Sequence, residues 1–597
     1  MFQGSWRVNL RNICIRLLIA LFLFSGVLLL FFGLAGLLFP DYLFNRLFLP
    51  LAGLFSQTGQ FRSDTTVQML YREWLNVGIY IINIIGIISL AFSIIWNNLE
   101  NKAKGEIRIK NPKVEPRKDE SARFYLYALI LITALGAILR AVNLNQSFWG
   151  DEIIAITDFT KLYRFWRYIE LADHLLYTFF GLLSLKLFGE SEIAFRLPTY
   201  IFGVLTISAI YYCAKGLFTK KEALIAAALI CFSAFHIQYS NEARGYSALA
   251  LVSLVSSFLF LKIIMQKQTG KFKKEIIAFC VLTVMGLLSH FYYIWVLFAQ
   301  FFTTVSVLAA QRSTRNKNAY ILTARTVSNL FAAMVIGLFL AFLIYGPEFI
   351  AAFLHKYIGW KGAGEAVSLK AVSYLFTGSQ MIGLGIGFAA AILFSLLNLW
   401  QKRKFILVIF CVFLLIFPFL IVKIICKNAF TRYFIYSLPF LMILLAHVMV
   451  IFSDKFSCFG KRIILTALIL TFILLQVPAL AHYYRNYQAG LEDHRRVGRL
   501  IDKLAGDDDI ISAIGLSNRQ AQYYIKKHQV IYLSDKELNR QLESSGRRLW
   551  LIVTFPDFLY LYPETLRTHK IARERLKLIG HFPSFHSEII LYVSKVK

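Results

Sequence analysis

Apolar runs of about twenty residues recur along most of this 597-residue chain. A helix of that length crosses about 30 Å of hydrocarbon, and backbone inside lipid must satisfy its own hydrogen bonds. That constraint leaves a mostly α, polytopic membrane protein. The composition agrees: 58% of residues are hydrophobic, above the 45–50% usual for soluble domains. The first run, Ile15 to Pro40, is too long for a signal-peptide core and has no small-residue cleavage site, so it reads as a retained helix. The net charge of +30 would suggest nucleic acid on a soluble protein. Here basic inward-facing loops account for it, and no nucleic-acid partner is expected. Seven scattered cysteines without a CxxC pair point to neither a metal site nor a disulfide framework.

Charge orients the spans. Arg7, Arg11 and Arg16 put the N-terminus inside, ahead of spans at roughly 17–39 and 77–97. The segment 99–122, with Lys102, Lys104, Arg108, Lys110, Lys113, Arg117 and Lys118 around Pro112 and Pro116, reads as a basic cytoplasmic linker. A span at about 124–142 then carries the chain outward. Ile153–Leu171 and Leu175–Phe188 follow; the first is amphipathic and the second only fourteen residues long, and both read as interfacial helices. Further spans fall at about 199–216, 222–238, 246–264, 275–289, 291–310, 327–345, 378–399, 405–424, 433–452 and 462–480. The connections 215–221, 262–274, 312–325, 401–404 and 454–462 are basic, and all lie inside if Asp151 lies outside. The expectation is about thirteen transmembrane helices, N-terminus in and C-terminus out, in an inner or plasma membrane.

The chain therefore divides into a two-helix extension (1–98), the linker (99–122), a membrane core (123–481) and a small outer α/β domain (482–597). In that last part, helical patterns at 491–504, 518–527 and 559–575 alternate with β-like runs at 509–513, 530–533, 549–553 and 588–593.

Within this frame the outward polar residues gather. Trp149-Gly150-Asp151-Glu152 places two carboxylates beside the bilayer, where they gain nothing as anchors, so they are functional candidates. On the same side lie Arg140, Asn143, His174, Arg196, YSNEARGY with Glu242 and Arg244, SHFYY with His290 and Tyr293, the loop 346–380 with Lys361, and Arg432. An arginine at a span end is often a snorkelling anchor, and Glu242 with Arg244 could form a simple ion pair. Together they suit a specific chemistry. A carboxylate beside an acceptor hydroxyl can take its proton. Arginines match the oxygens of a departing phosphate. A single carboxylate base with direct displacement would invert the anomeric centre.

Roughly Arg123 to Leu480 resembles the polyprenyl-phosphate-dependent glycosyltransferases of the C superfamily, the group of protein O-mannosyltransferases (glycosyltransferase family 39) and aminoarabinose transferases. The resemblance rests on LRAVNLNQSFWGDE, on the histidine that opens the second interfacial helix, and on LFGESEIAFRLPTYIFGVLT, YSNEARGYS, LSHFYY and TRYFIYSLPFLMILLAH, in that order. It implies that Asp151 is a general base, with Glu152 a supporting or positioning group. It implies Arg196, Arg244 and Arg432 near the donor phosphate, and His174, Glu242, His290, Tyr293 and Lys361 lining the cavity. It implies a polyprenyl-phosphate-linked sugar as donor, entering from membrane lipid, a glycan, lipid or protein as acceptor, and no required metal or cofactor. Many relatives have His-Pro-Pro where this chain has His174-Leu175-Leu176. Two other readings share some of these features: a transporter of lipid-linked glycan, and a ligase that moves a whole glycan. The transporter would usually show internal repeats, and none is evident.

Overall fold

The computed structural model describes residues 120–159, 174–265, 273–313, 324–345, 368–425, 430–485, 492–515, 518–544, 546–554, 563–583 and 588–594. Apart from the last turn of the helix that ends at Tyr345, these belong to one compact unit. The expected spans at 17–39 and 77–97, most of the linker, the second half of the first interfacial stretch and Lys361 lie outside the described residues.

The described residues of the membrane portion are mostly helical. α1 is Glu120–Ala141, α2 the short Gly150–Ile154, α3 Leu175–Phe188, α4 Glu192–Ala214, α5 Lys220–Phe232, α6 Ala234–Tyr239, α7 Tyr246–Met265 and α8 Lys273–Ser289. α9 (Ile294–Ser313), α10 (Ala324–Tyr345), α11 (Leu369–Thr377), α12 (Ile382–Gln401), α13 (Phe405–Cys411), α14 (Phe417–Ile425), α15 (Leu438–Ser453) and α16 (Cys458–Arg485) complete it. Among the described residues, eight helical segments are long and apolar enough to cross a membrane. α5, α8 and α10 coincide with three further expected spans but are shorter or less apolar, so the full set of thirteen is not established. α3, at 14 residues, matches the expected short stretch.

Burial sorts the spans. α15 is enclosed along nearly its whole length, whereas α1 and α16 turn apolar faces outward, with Leu131 70% and Leu474 67% exposed. Such faces mark contact with lipid or with other protein. Two breaks are satisfied locally. Pro198, inside α4, cannot donate to the carbonyl of Ala194; the Ser184 hydroxyl donates to that oxygen instead, at 2.5 Å. The break between α5 and α6 at Ser233 leaves the Ile230 and Cys231 carbonyls to accept from the Arg140 guanidinium at 3.1 and 3.2 Å. Arg140 also donates to Gly136 O and Ser240 Oγ and pairs with His236 Nδ1, which uses all of its donor hydrogens. It is a helix-joining residue, fully buried, rather than an exposed outward cation.

At the far ends of α4, α12 and α15 the basic connections meet. Lys404 Nζ donates to Leu217 O at 2.7 Å, and Glu222, which completes the capping box with the N-cap Thr219 in the first turn of α5, pairs with His447 Nδ1 of α15 at 2.6 Å. The grouping of 215–221 with 401–404, expected from charge alone, is thus seen as contact.

The C-terminal part is a five-stranded sheet of order β2-β1-β3-β5-β4. Its elements are α17 (His494–Leu504), β1 (Ile510–Ile514), α18 (Asn518–Tyr524), β2 (Val530–Ile531), α19 (Asp535–Ser544), β3 (Leu549–Thr554), α20 (Pro563–Arg575), β4 (Lys577–Pro583) and β5 (Glu588–Val593). β2, β1 and β3 are parallel, joined by helices; β5 and β4 return antiparallel. Along β3 the side chains alternate between two cores. Trp550 and Ile552 meet Val497, Ile501 and Ala521, while Leu551 and Val553 meet Leu538 and Ala572. Sheet order and helices on both faces make this an α/β unit. The helix α19 and the strand β4 were not expected. β4 is an edge strand, KLIGHFP, largely exposed, so it lacks the apolar alternation that marks a strand in sequence.

Candidate functional site around Asp151

The site is built on the turn 142–149 and the five-residue α2. Glu152 caps that helix from within: its Oε2 accepts the Trp149 amide at 3.2 Å. The other contacts of the same carboxylate come from elsewhere. Oε1 accepts from Arg196 Nε at 2.8 Å and from the Ala243 amide at 2.6 Å, and Oε2 is bonded by Arg196 Nη2. Glu152 is fully buried with four contacts on two oxygens. It positions the α2 turn and the YSNEARGY loop and has no acceptor capacity to spare.

Arg196 is equally engaged. Besides the Glu152 pair, Nη1 donates to Leu144 O at 3.1 Å and Gln146 O at 2.6 Å, and Nη2 to Ser147 O at 3.0 Å. These bonds occupy every guanidinium hydrogen, and the side chain is 0% exposed. Arg196 was expected near a donor phosphate; in this arrangement its guanidinium hydrogens are all taken by Glu152 and by the carbonyls of Leu144, Gln146 and Ser147. It holds the loop that leads into Asp151.

Asp151 is different. Its side chain is 32% exposed, and Oδ2 lies 3.9 Å from Arg432 Nη2. Arg432 rests among aromatic faces, with its guanidinium carbon 4.4 Å from the Phe430 ring centroid, 5.6 Å from Trp149 and 5.9 Å from both Tyr246 and Tyr433. Such stacking keeps a cation charged and oriented without consuming its hydrogens. Arg432 Nε has no hydrogen-bond partner among the described residues.

Two histidines meet beside this group. His174 and His290 have ring centroids 4.9 Å apart, and Tyr246 lies 5.1 Å from the first and 5.7 Å from the second. His174 Nδ1 pairs with Ser289 O at 2.8 Å, and His290 Nδ1 accepts the Tyr292 amide at 3.0 Å. Burial, with the nearby Arg244, holds His174 well below the usual imidazole value and His290 at about 3. Both rings are neutral near pH 7 and act as hydrogen-bonding groups rather than cations. The two segments approach so closely that a Cβ on Gly245 would lie 2.1 Å from Ser289 O, so only glycine fits there.

Glu242 is buried, with its Oε1 accepting from Gln238 Nε2 at 3.3 Å. Burial, reinforced by the Glu152 and Asp151 charges and opposed by Arg432, pushes its carboxyl up to about 8. It is protonated at neutral pH. Arg244 is buried in the same loop.

Tyr293, expected to line the cavity, lies elsewhere. It is fully buried, and its hydroxyl donates to Ser256 Oγ of α7 at 2.8 Å, inside the bundle. The neighbouring Tyr292 instead packs on Tyr433 at 4.9 Å and His290 at 5.5 Å. The expected Asp151, Glu152, Arg196, His174, Glu242, Arg244, His290 and Arg432 thus gather around one region, while Tyr293 faces away from it. Lys361 lies outside the described residues.

Sequence reasoning missed the contribution of the C-terminal unit. Glu492 Oε2 accepts the Gly150 amide at 3.1 Å, and the Tyr524 hydroxyl accepts the Phe148 amide at 2.9 Å. The sequence signal was slight: an acidic residue and a histidine, Glu492 and His494, just after the last span. Among the described residues, no group of three or more His, Cys, Asp or Glu side chains is placed to hold a metal ion.

Residues 174–345 match the family model described as dolichyl-phosphate-mannose-protein mannosyltransferase. No curated protein matches the chain. Among solved structures, the chain is similar to ArnT from Cupriavidus metallidurans in the apo state, at 12% identity over 80% of this chain and 99% of that one, with a TM-score of 0.49. It is also similar to the oligosaccharyltransferase of Archaeoglobus fulgidus in the apo form, at 12% identity over 77% and 73%, TM-score 0.48. A third is the arabinosyltransferase EmbB from Mycobacterium smegmatis, at 13% identity over 73% and 47%, TM-score 0.43. The matched family segment holds His174, Arg196, Glu242, Arg244 and His290, and over that segment the resemblance to polyprenyl-phosphate-dependent glycosyltransferases is borne out.

Proposed function

We propose that this protein moves a single sugar from a polyprenyl-phosphate donor to an acceptor hydroxyl at the outer face of the membrane, with inversion and with Asp151 as the general base. The observation that carries the reading is the Asp151–Arg432 arrangement: a partly exposed carboxylate 3.9 Å from a guanidinium held on aromatic faces. The competing carboxylates are otherwise committed. Glu152 is saturated, and Glu242 is neutral at pH 7.

In this reaction Asp151 takes the proton of the acceptor hydroxyl as its oxygen attacks the anomeric carbon. The bond from that carbon to the phosphate oxygen breaks, and the lipid phosphate leaves with its electron pair. Arg432, with Arg244, meets the charge that develops on the phosphate. Preorganised cations at such a point are commonly the largest catalytic contribution. The neutral His290, whose Nδ1 accepts the Tyr292 amide, keeps an Nε2–H to donate to a sugar or phosphate oxygen, while the neutral His174, whose Nδ1 donates to Ser289 O, keeps Nε2 to accept from a sugar hydroxyl. No cofactor is required. Donor and acceptor meet at the Asp151 end of the bundle; the basic character of the connections at the opposite end supports reading this end as the outer one.

The test uses full-length protein in lipid with a panel of radiolabelled polyprenyl-phosphate sugars. Transfer or slow hydrolysis of one of them, lost in Asp151→Asn, is expected. No turnover or specific binding of any lipid-phosphate sugar would instead favour a ligase or transporter acting on lipid diphosphate glycans.

Two further outcomes follow from the charges. Arg432→Ala is expected to weaken donor binding by about tenfold or more, since a charge-assisted contact contributes about 1.5–3 kcal/mol; a donor Kd equal to wild type would remove Arg432 from the phosphate site. Glu242 supplies a pH dependence. Below about 8 its carboxyl is neutral and leaves Arg432 to the phosphate; above that value it ionises and competes for the same cation. Donor affinity should therefore fall as pH rises through 8, and the fall should be flattened in Glu242→Gln. Parallel profiles for the two proteins would show that Glu242 is not the titrating group.

A further inference from the structure

The helix that presents Asp151 is held from two sides. Arg196, from the membrane core, takes the carbonyls of Leu144, Gln146 and Ser147. The C-terminal unit takes the amides: Tyr524 that of Phe148, and Glu492 that of Gly150. Arg495 adds its guanidinium on Asn145 O at 3.1 Å, its own amide on Ser147 Oγ at 3.2 Å, and an ion pair with Glu192 of α4 at 2.6 Å. The fit is close enough that a Cβ on Gly150 would lie 2.3 Å from Gln520 Nε2 of α18.

Glu492 stands out in this clamp. Its side chain is 2% exposed, and the oxygen that receives the Gly150 amide is also bonded to His494 Nε2 at 2.6 Å. Its other oxygen, Oε1, is buried and has no hydrogen-bond partner among the described residues. Burial and the proximity of Asp151 raise its carboxyl above the usual range. A buried carboxylate oxygen left unpaired, beside a second carboxylate, is destabilising. A serine or asparagine could accept one amide hydrogen at lower cost. What Glu492 adds is a strong acceptor, locked by His494, on the amide next to Asp151.

Resting on the reading of Asp151 as base, we propose that Glu492, oriented by His494, is a positioning residue of the transfer reaction. It fixes the Gly150 amide and so the direction of the Asp151 carboxylate, and the active site is incomplete without the C-terminal domain. The expected effect lies on turnover and not on donor binding, because the pair reaches Asp151 through the backbone and makes no contact with the phosphate-facing Arg432. A displacement of about 1 Å in a reacting group costs up to about 10²-fold in rate.

The experiment compares full-length wild type, Glu492→Ala, Glu492→Gln and Asp151→Asn in lipid nanodiscs. Three readouts are taken: kcat with the active lipid-phosphate sugar, donor Kd, and hydrogen–deuterium exchange of the peptide spanning 145–159. Glu492→Ala is expected to lose about 10–100-fold in kcat, to keep donor Kd within about twofold, and to exchange faster in that peptide. Glu492→Gln keeps an oxygen for the Gly150 amide and should restore both exchange and most of kcat. If Glu492→Ala does not accumulate as folded protein, His494→Ala replaces it, with the same pattern at smaller size. Wild-type kcat in the alanine variant, wild-type exchange there, or equal losses in kcat and donor affinity would overturn the proposal, as would a glutamine variant as impaired as alanine. Absence of any wild-type turnover would sink the reaction itself, while the exchange readout still judges the clamp, so the two failures are distinguishable.

Discussion

Asp151→Asn is expected to lower kcat by about 10²–10⁴-fold, the range for loss of a general base, while leaving the donor Kd unchanged or slightly tighter. The substitution keeps shape and removes only basicity and charge. The surrounding geometry should persist, because α2 is held by its neighbours and not by Asp151. Glu152 carries the cap and the Arg196 pair, and Glu492 carries the Gly150 amide. Arg432 loses a counter-charge 3.9 Å away. It then has less competition for a phosphate, which gives the sign of the binding effect. A loss in kcat without a loss in affinity marks a group that acts only in the transition state. Turnover within tenfold of wild type would remove Asp151 as base and leave the rest of the site to be reassigned.

Arg196→Ala is expected to destabilise the fold by about 3–5 kcal/mol, as removal of one partner from a buried ion pair generally does. The reason lies in what remains. Glu152 would keep a carboxylate at 0% exposure, and the carbonyls of Leu144, Gln146 and Ser147 would lose their donor. Lysine does not repair this, since one ammonium cannot reproduce a planar fork of five hydrogens. The measurement is the thermal midpoint in detergent or nanodiscs for Arg196→Ala and Arg196→Lys. The double variant Arg196→Met with Glu152→Met should recover part of the loss, because no unpaired charge is then left buried. A folded, wild-type-stable Arg196→Ala that had lost only donor affinity would restore the phosphate-binding role and overturn the assignment made from geometry.

The contrast between Arg196 and Arg432 shows what is legible without coordinates. Both stand at the start of a span, both follow or precede aromatic residues, and both looked like phosphate ligands. What separates them is saturation. Arg196 meets carbonyls 49 to 52 residues away in a turn with no regular pattern. Arg432 meets ring faces contributed by Trp149, Tyr246 and Phe430. Neither environment follows from local spacing. The same holds for Tyr292 and Tyr293, adjacent in sequence, where a 3₁₀ turn sends one hydroxyl into the bundle and leaves the other ring beside His290.

By itself the sequence determined the membrane class, the position of most spans, the short helix Leu175–Phe188, and the gathering of acidic and basic residues at one end. Those features depend on quantities carried locally by the chain: runs of apolar side chains, their length against a bilayer, and charge in alternate loops. Only the tertiary structure decided which polar groups are spent and which are available. It assigned Arg140 and Arg196 to backbone carbonyls, Glu152 to a cap, and the Gly150 amide to Glu492, 342 residues away. The physical reason is that a buried polar group must be paired, and its partner is set by whichever distant segment packs against it.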